Sequence, residues 1–124
     1  MKSLKEIHKK LKPIPFKKED INFMGNYLKY LEDNKIKSRF DFKMKEEGLI
    51  KHYEECNDLG MFVLAIQVME CSWAFVKSKN NYSILLCDWH EGSWVSQGEY
   101  NNFQETFRPL HAIIKSHIEF SKDE

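Results

Sequence analysis

The chain has 124 residues, 42% of them hydrophobic and 31% charged, with 19 Lys plus Arg balanced by 19 Asp plus Glu. A chain of this length buries roughly two thirds of its unfolded surface, so one domain over residues 1–124 can hold a core without disulfide or metal staples, and two ordinary domains do not fit. Nine Phe, five Tyr and three Trp at zero net charge exclude the composition of a disordered chain, and neutrality excludes the global positive charge of a nucleic-acid binder.

Ser3-Leu4-Lys5-Glu6 has capping-box spacing, and Leu4, Ile7, His8 and Leu11 follow the stripe of a short helix that Pro13 ends. Pro13-Ile14-Pro15 must then be extended. From about Glu19 to Asp33, Ile21, Met24, Leu28 and Leu31 line one helical face, widened by Phe23, Tyr27 and Tyr30. Phe40, Phe42 and Met44 alternate with charged residues, which predicts a strand wet on one face. Glu46 to Asn57 reads as a helix carrying Leu49, Ile50, Tyr53 and Cys56 inward, and Asn57-Asp58-Leu59-Gly60 has the composition of a turn.

Met61 to Met69 is a short apolar run that suits a buried strand or a buried helix, and strand is preferred. Trp73 to Ser78, Tyr82 to Trp89 and Ser93 to Gln97, separated by Lys79-Asn80-Asn81 and Glu91-Gly92, predict a meander of antiparallel strands. The consecutive apolar residues Ile84, Leu85 and Leu86 point to the sheet centre. A final helix from Asn102 or Phe107 to Phe120 carries Phe107, Leu110, Ile114 and Ile118 inward, with Pro109 suited to its first turn. The predicted architecture is α+β: an antiparallel meander of four to five strands, with N-terminal helices and a C-terminal helix packed on one face.

Residues 2–12 hold Lys2, Lys5, Lys9, Lys10 and Lys12 where an export signal would be apolar. The longest apolar stretch is interrupted by Gln67, far short of the ~20 residues of a membrane helix. Cys56, Cys71 and Cys87 form no C-x-x-C pair, as expected of three buried thiols in a reducing cytoplasm. Seven Lys and one Glu in the first eighteen residues suggest either an anionic partner or a solvated helix face. Without Arg or an aromatic stacking platform beside them, the solvated face is the better reading.

Standard phosphate loops, nucleophile elbows and helical zinc pairs are absent from the sequence. In Cys87-Asp88-Trp89-His90, strand alternation would turn Cys87 and Trp89 away from Asp88 and His90, which separates the thiol from the imidazole and disfavours a zinc pair. Asp88 could still orient His90 as a base. His111 and His117 lie about 240° apart on a helix and share no ligand face. No cofactor or metal site is expected.

From Asn80 to Phe107 there is no Lys or Arg, while Asp88, Glu91, Glu99 and Glu105 are interleaved with Tyr82, Trp89, Trp94, Tyr100, Phe103 and Phe107. Acids that steer and rings that anchor are what a surface for a basic protein requires. The candidate partner-binding residues are Asp88, Trp89, Glu91, Trp94, Glu99, Tyr100 and Glu105. Against this, alternation should turn some rings inward, with Trp73 and either Trp89 or Trp94 in the core and the indole nitrogens satisfied. The expectation is a cytoplasmic, non-enzymatic binding domain. It has the profile of bacterial immunity proteins, stoichiometric inhibitors that neutralise a basic partner such as a nuclease toxin by occluding its active site. Specific nucleic acid and membranes are not expected partners. The alternatives are a small enzyme or ligand-binding domain using Asp88, His90 or Glu99, and a homodimerising structural module.

Overall fold

The computed structural model describes residues 3–50 and 55–122. Ser3 caps the first helix, α1 (Leu4–Leu11), its hydroxyl accepting from the Glu6 amide at 3.2 Å, and the helix buries Leu4 and Ile7. The extended segment after it is held by Ile14 N donating to Lys77 O at 2.9 Å and Phe16 N to Asn57 O at 3.0 Å. In α2 (Lys18–Asp33), Asp20 accepts from the Lys17 amide, while Met24, Tyr27 and Leu31 turn inward.

The next stretch departs from the alternation read in the sequence. Strand β1 covers only Ser38–Phe40, because Asp41 caps a new helix, α3 (Phe42–Glu46), by accepting from Lys43 N at 2.8 Å. Met44 is therefore a buried helical residue. The single helix expected from Glu46 to Asn57 does not form either: α3 ends at Glu46, and Gly48 adopts a left-handed φ of 73°. A separate helix, α4 (Glu55–Leu59), follows, and Tyr53, expected to face inward, lies outside the described residues. Asn57, Asp58 and Leu59 belong to α4, so the chain turns at Gly60 alone, with φ 71°.

Met61 to Met69 is a strand for most of its length. β2 (Met61–Ile66) passes through a 3-10 turn at Gln67–Met69 into β3 (Cys71–Lys77), then β4 (Tyr82–Asp88) and β5 (Trp94–Tyr100). The five strands pair antiparallel in chain order, β1-β2-β3-β4-β5. The α5 helix (Phe103–Thr106) and α6 (Arg108–Lys122) close the chain, with Pro109 in the first turn of α6 and Leu110 and Ile114 buried.

The middle strand is β3 and not the one carrying Ile84, Leu85 and Leu86. Every residue of β2 and β3 is buried, whereas Leu85 and Leu86 are half-buried beside the edge strand β5. The α+β meander is as expected, with a refinement in how the helices are distributed. Two strands apolar on both sides need cover on both sides. On one face Phe107 stacks on Phe75 at 4.3 Å, and Phe103 packs against Tyr82. On the other, Ile7 and Leu11 of α1 line one cleft with Leu85 and Trp94, and Lys43 and Glu46 of α3 line another with Ala65 and Cys87. Among the described residues, no helix is long and apolar enough to cross a membrane.

Candidate functional site

The β4–β5 connection carries Trp89, His90 and Glu91, with Asp88 at the end of β4 just before it. β4 ends at Asp88, whose carboxylate accepts from His90 N at 2.8 Å while its carbonyl accepts from Glu91 N and Gly92 N. Gly92, with φ 74°, allows the return. Trp89 and His90 thus lie in a turn, where strand alternation no longer sets their direction. Trp89 folds back over the sheet, its amide donating to Glu70 O at 3.0 Å and its Nε1 to Ser72 Oγ at 2.9 Å.

His90 is not oriented by a side-chain contact with Asp88. Its Nε2 pairs with Glu70 Oε2 at 2.5 Å, and that hydrogen bond, with the charge of Glu70 and then of Asp88, raises the imidazole pKa above the ordinary histidine value. Both partners are exposed, at 75% for His90 and 58% for Glu70. Cys56, Cys71 and Cys87 are buried and form no disulfide among the described residues, and burial pushes the Cys71 and Cys87 thiols up. Among the described residues, no group of three or more His, Cys, Asp or Glu is placed to hold a metal ion.

The seven candidate partner-binding residues do not form one continuous face. Asp88 and Glu91 are exposed at the hairpin end. Trp94 and Glu99 open toward α1, sharing a cleft of about 330 Å³ with Ile7 and Lys10, and Glu99 accepts from Asn81 Nδ2 at 3.2 Å. The Tyr100 ring lies against Gly98, whose φ of 134° marks the irregular stretch of β5. Glu105 is exposed on α5, which packs beside β5. What these residues share is position along or next to β5, the open edge of the sheet.

The tryptophans divide differently from the sequence reading. Trp73 is buried in the core as expected, yet its Nε1 finds no nitrogen or oxygen acceptor among the described residues. Trp89 and Trp94 are both half-buried. The lysines of α1 are exposed, consistent with a solvated face.

Three features had no signal in the sequence. Glu70 and Ser72 reach the hairpin only because β3 pairs with β4. The third is a set of packed rings between α2 and α6, where Tyr27 Oη and His111 Nδ1 lie 3.1 Å apart across 84 residues of sequence. No protein-family model, curated protein or solved structure matches the chain, and its function is read from this geometry.

Proposed function

We propose that the protein is a non-enzymatic binding domain, a stoichiometric inhibitor of the immunity type, that engages a basic protein along β5 and occludes its active site. The observation that carries this reading is the character of the edge. Strand edges are commonly guarded by lysine, yet the segment 80–107, which includes all of β5 and its flanks, contains no Lys or Arg. Asp88, Glu91, Glu99 and Glu105 are all exposed around it.

The edge is blunted against self-association by its own side chains. Gln97 Nε2 donates to Val95 O at 3.3 Å, and Gly98 N donates to Ser96 Oγ at 3.4 Å. A partner would therefore dock mainly on side chains, with Trp94 and Val95, the latter 52% exposed, as apolar anchors between the carboxylates. The acids would raise the encounter rate with a basic cleft, and a standard interface would cover about 800 Å² on each partner.

The test is capture of a partner from the native host on immobilised protein, with salt elution, for the wild type and for a Glu91→Lys/Glu99→Lys variant. Both residues are exposed, so the variant should melt with the wild type. The expected result is a basic partner that elutes with salt and is lost by the variant. Equal retention by the variant, or no captured partner, would overturn the reading.

A further inference from the structure

The rings between α2 and α6 do not close on one another. They leave a cleft of about 510 Å³, within the size range of small-molecule sites. Its floor is Tyr27 and Phe107, both buried and 4.7 Å apart between ring centroids, and its walls are Phe23 and Tyr30. Arg108 and His111 stand at the rim. The described lining contains no carboxylate, and Arg108 makes no ion pair among the described residues. An aromatic cleft carrying an unpaired guanidinium and no acid selects for negative charge.

The histidine adds a second polar group. Tyr27 Oη and His111 Nδ1 lie 3.1 Å apart, a contact that orients the imidazole and leaves Nε2 on the side of the ring away from the phenol. Tyr30 packs on the same imidazole at 5.6 Å and fixes its plane. A guanidinium offers parallel N–H donors that match the two oxygens of a carboxylate, and flat rings favour a flat ligand by offset or edge stacking. Ala112, small and exposed at the mouth, leaves the entrance open.

We propose that the α2–α6 cleft is a binding site for a small planar aromatic carboxylate, with Arg108 and His111 Nε2 taking the carboxylate and Tyr27, Tyr30 and Phe107 taking the ring. The site is separate from the β5 edge and does not depend on the reading of that edge.

The experiment is an amide chemical-shift titration of the full chain with indole-3-acetate, with indole-3-acetamide as the uncharged counterpart. Saturable shifts confined to α2, α5 and α6 are expected, with the acetamide binding about tenfold more weakly. Arg108→Gln should weaken the carboxylate by a similar factor and leave the acetamide unchanged. Ala112→Trp, at an exposed position, should block both. Absence of saturable shifts at millimolar carboxylate, or equal binding of the two probes, or indifference to Arg108→Gln, would each overturn the proposal.

Discussion

The phenol of Tyr82 donates to Asp20 Oδ2 at 2.7 Å, a buried contact that joins β4 to the first turn of α2 across 62 residues of chain. Hydrogen bonds to a charged group contribute more than neutral ones, so Tyr82→Phe should cost about 2 kcal/mol, leaving Asp20 with its Lys17 amide as remaining partner. Urea unfolding with an unchanged m-value should show this as a lower midpoint. An unchanged midpoint would mean that the contact contributes nothing.

Tyr27 and Tyr82 should contribute to the alkaline limit of the fold. Burial raises both phenols above the ordinary tyrosine value. A proton held more tightly in the folded state stabilises it, so the contribution is present below the unfolded value of about 10 and is lost as pH rises past it. In an absorbance titration these two rings should ionise only as the chain unfolds. Ordinary titration of both within a folded protein would contradict their assigned burial.

The His90–Glu70 pair runs on a histidine sign. The raised imidazole pKa means its contribution is present below the unfolded value of about 6.5 and disappears as pH climbs through the folded one. Glu70→Gln should return the His90 resonance toward the ordinary histidine midpoint in an NMR titration. Because both groups are exposed, the melting temperature at neutral pH should barely move. A His90 midpoint unaffected by the substitution would assign the shift to another group.

Two glycines make opposite predictions. A Cβ at Gly60, which has φ 71°, would sit 2.1 Å from the Ile14 carbonyl oxygen, backbone that is itself anchored to Lys77. Gly60→Ala should destabilise by about 3 kcal/mol or more. Gly25 is helical, with nothing within 4 Å of an added Cβ, and Gly25→Ala should stabilise by about 0.5–1 kcal/mol. Thermal melts of the two variants check both signs.

The parts legible in the sequence were those written in local chemistry. Ser3 and Glu6 mark α1, and the turn residues Lys79-Asn80-Asn81 and Glu91-Gly92 between the later segments mark the meander. Phe40, Phe42 and Met44 misled because their period-2 spacing carries no mark of where pairing stops, and the single carboxylate of Asp41 ended the strand by capping a helix. The apolar triplet of β4 points to the sheet centre, but strand order is set by pairing partners. β4 is paired on both sides like β3, yet its outer neighbour β5 is the edge strand, which leaves Leu85 and Leu86 half-buried. The seven acidic and aromatic candidates lie on neighbouring elements, but the half-turn at Trp89 and the bulge near Gly98 aim them in different directions. The Glu70–His90 pair and the Tyr27–His111 contact join segments 20 and 84 residues apart, distances at which side-chain proximity leaves no periodic trace.

The strand connections of β2 through β5 are four, four and five residues long, so each strand meets its partner after closing a short loop. Residues 14–16 are different: the amides of Ile14 and Phe16 reach Lys77 and Asn57, and the segment carries the chain from the α1 face to the α2 face around one end of the sheet. Both acceptors are backbone carbonyls, one in α4 and one at the end of β3, so the N-terminal segment ties these two elements to each other and to the helices on either face of the sheet.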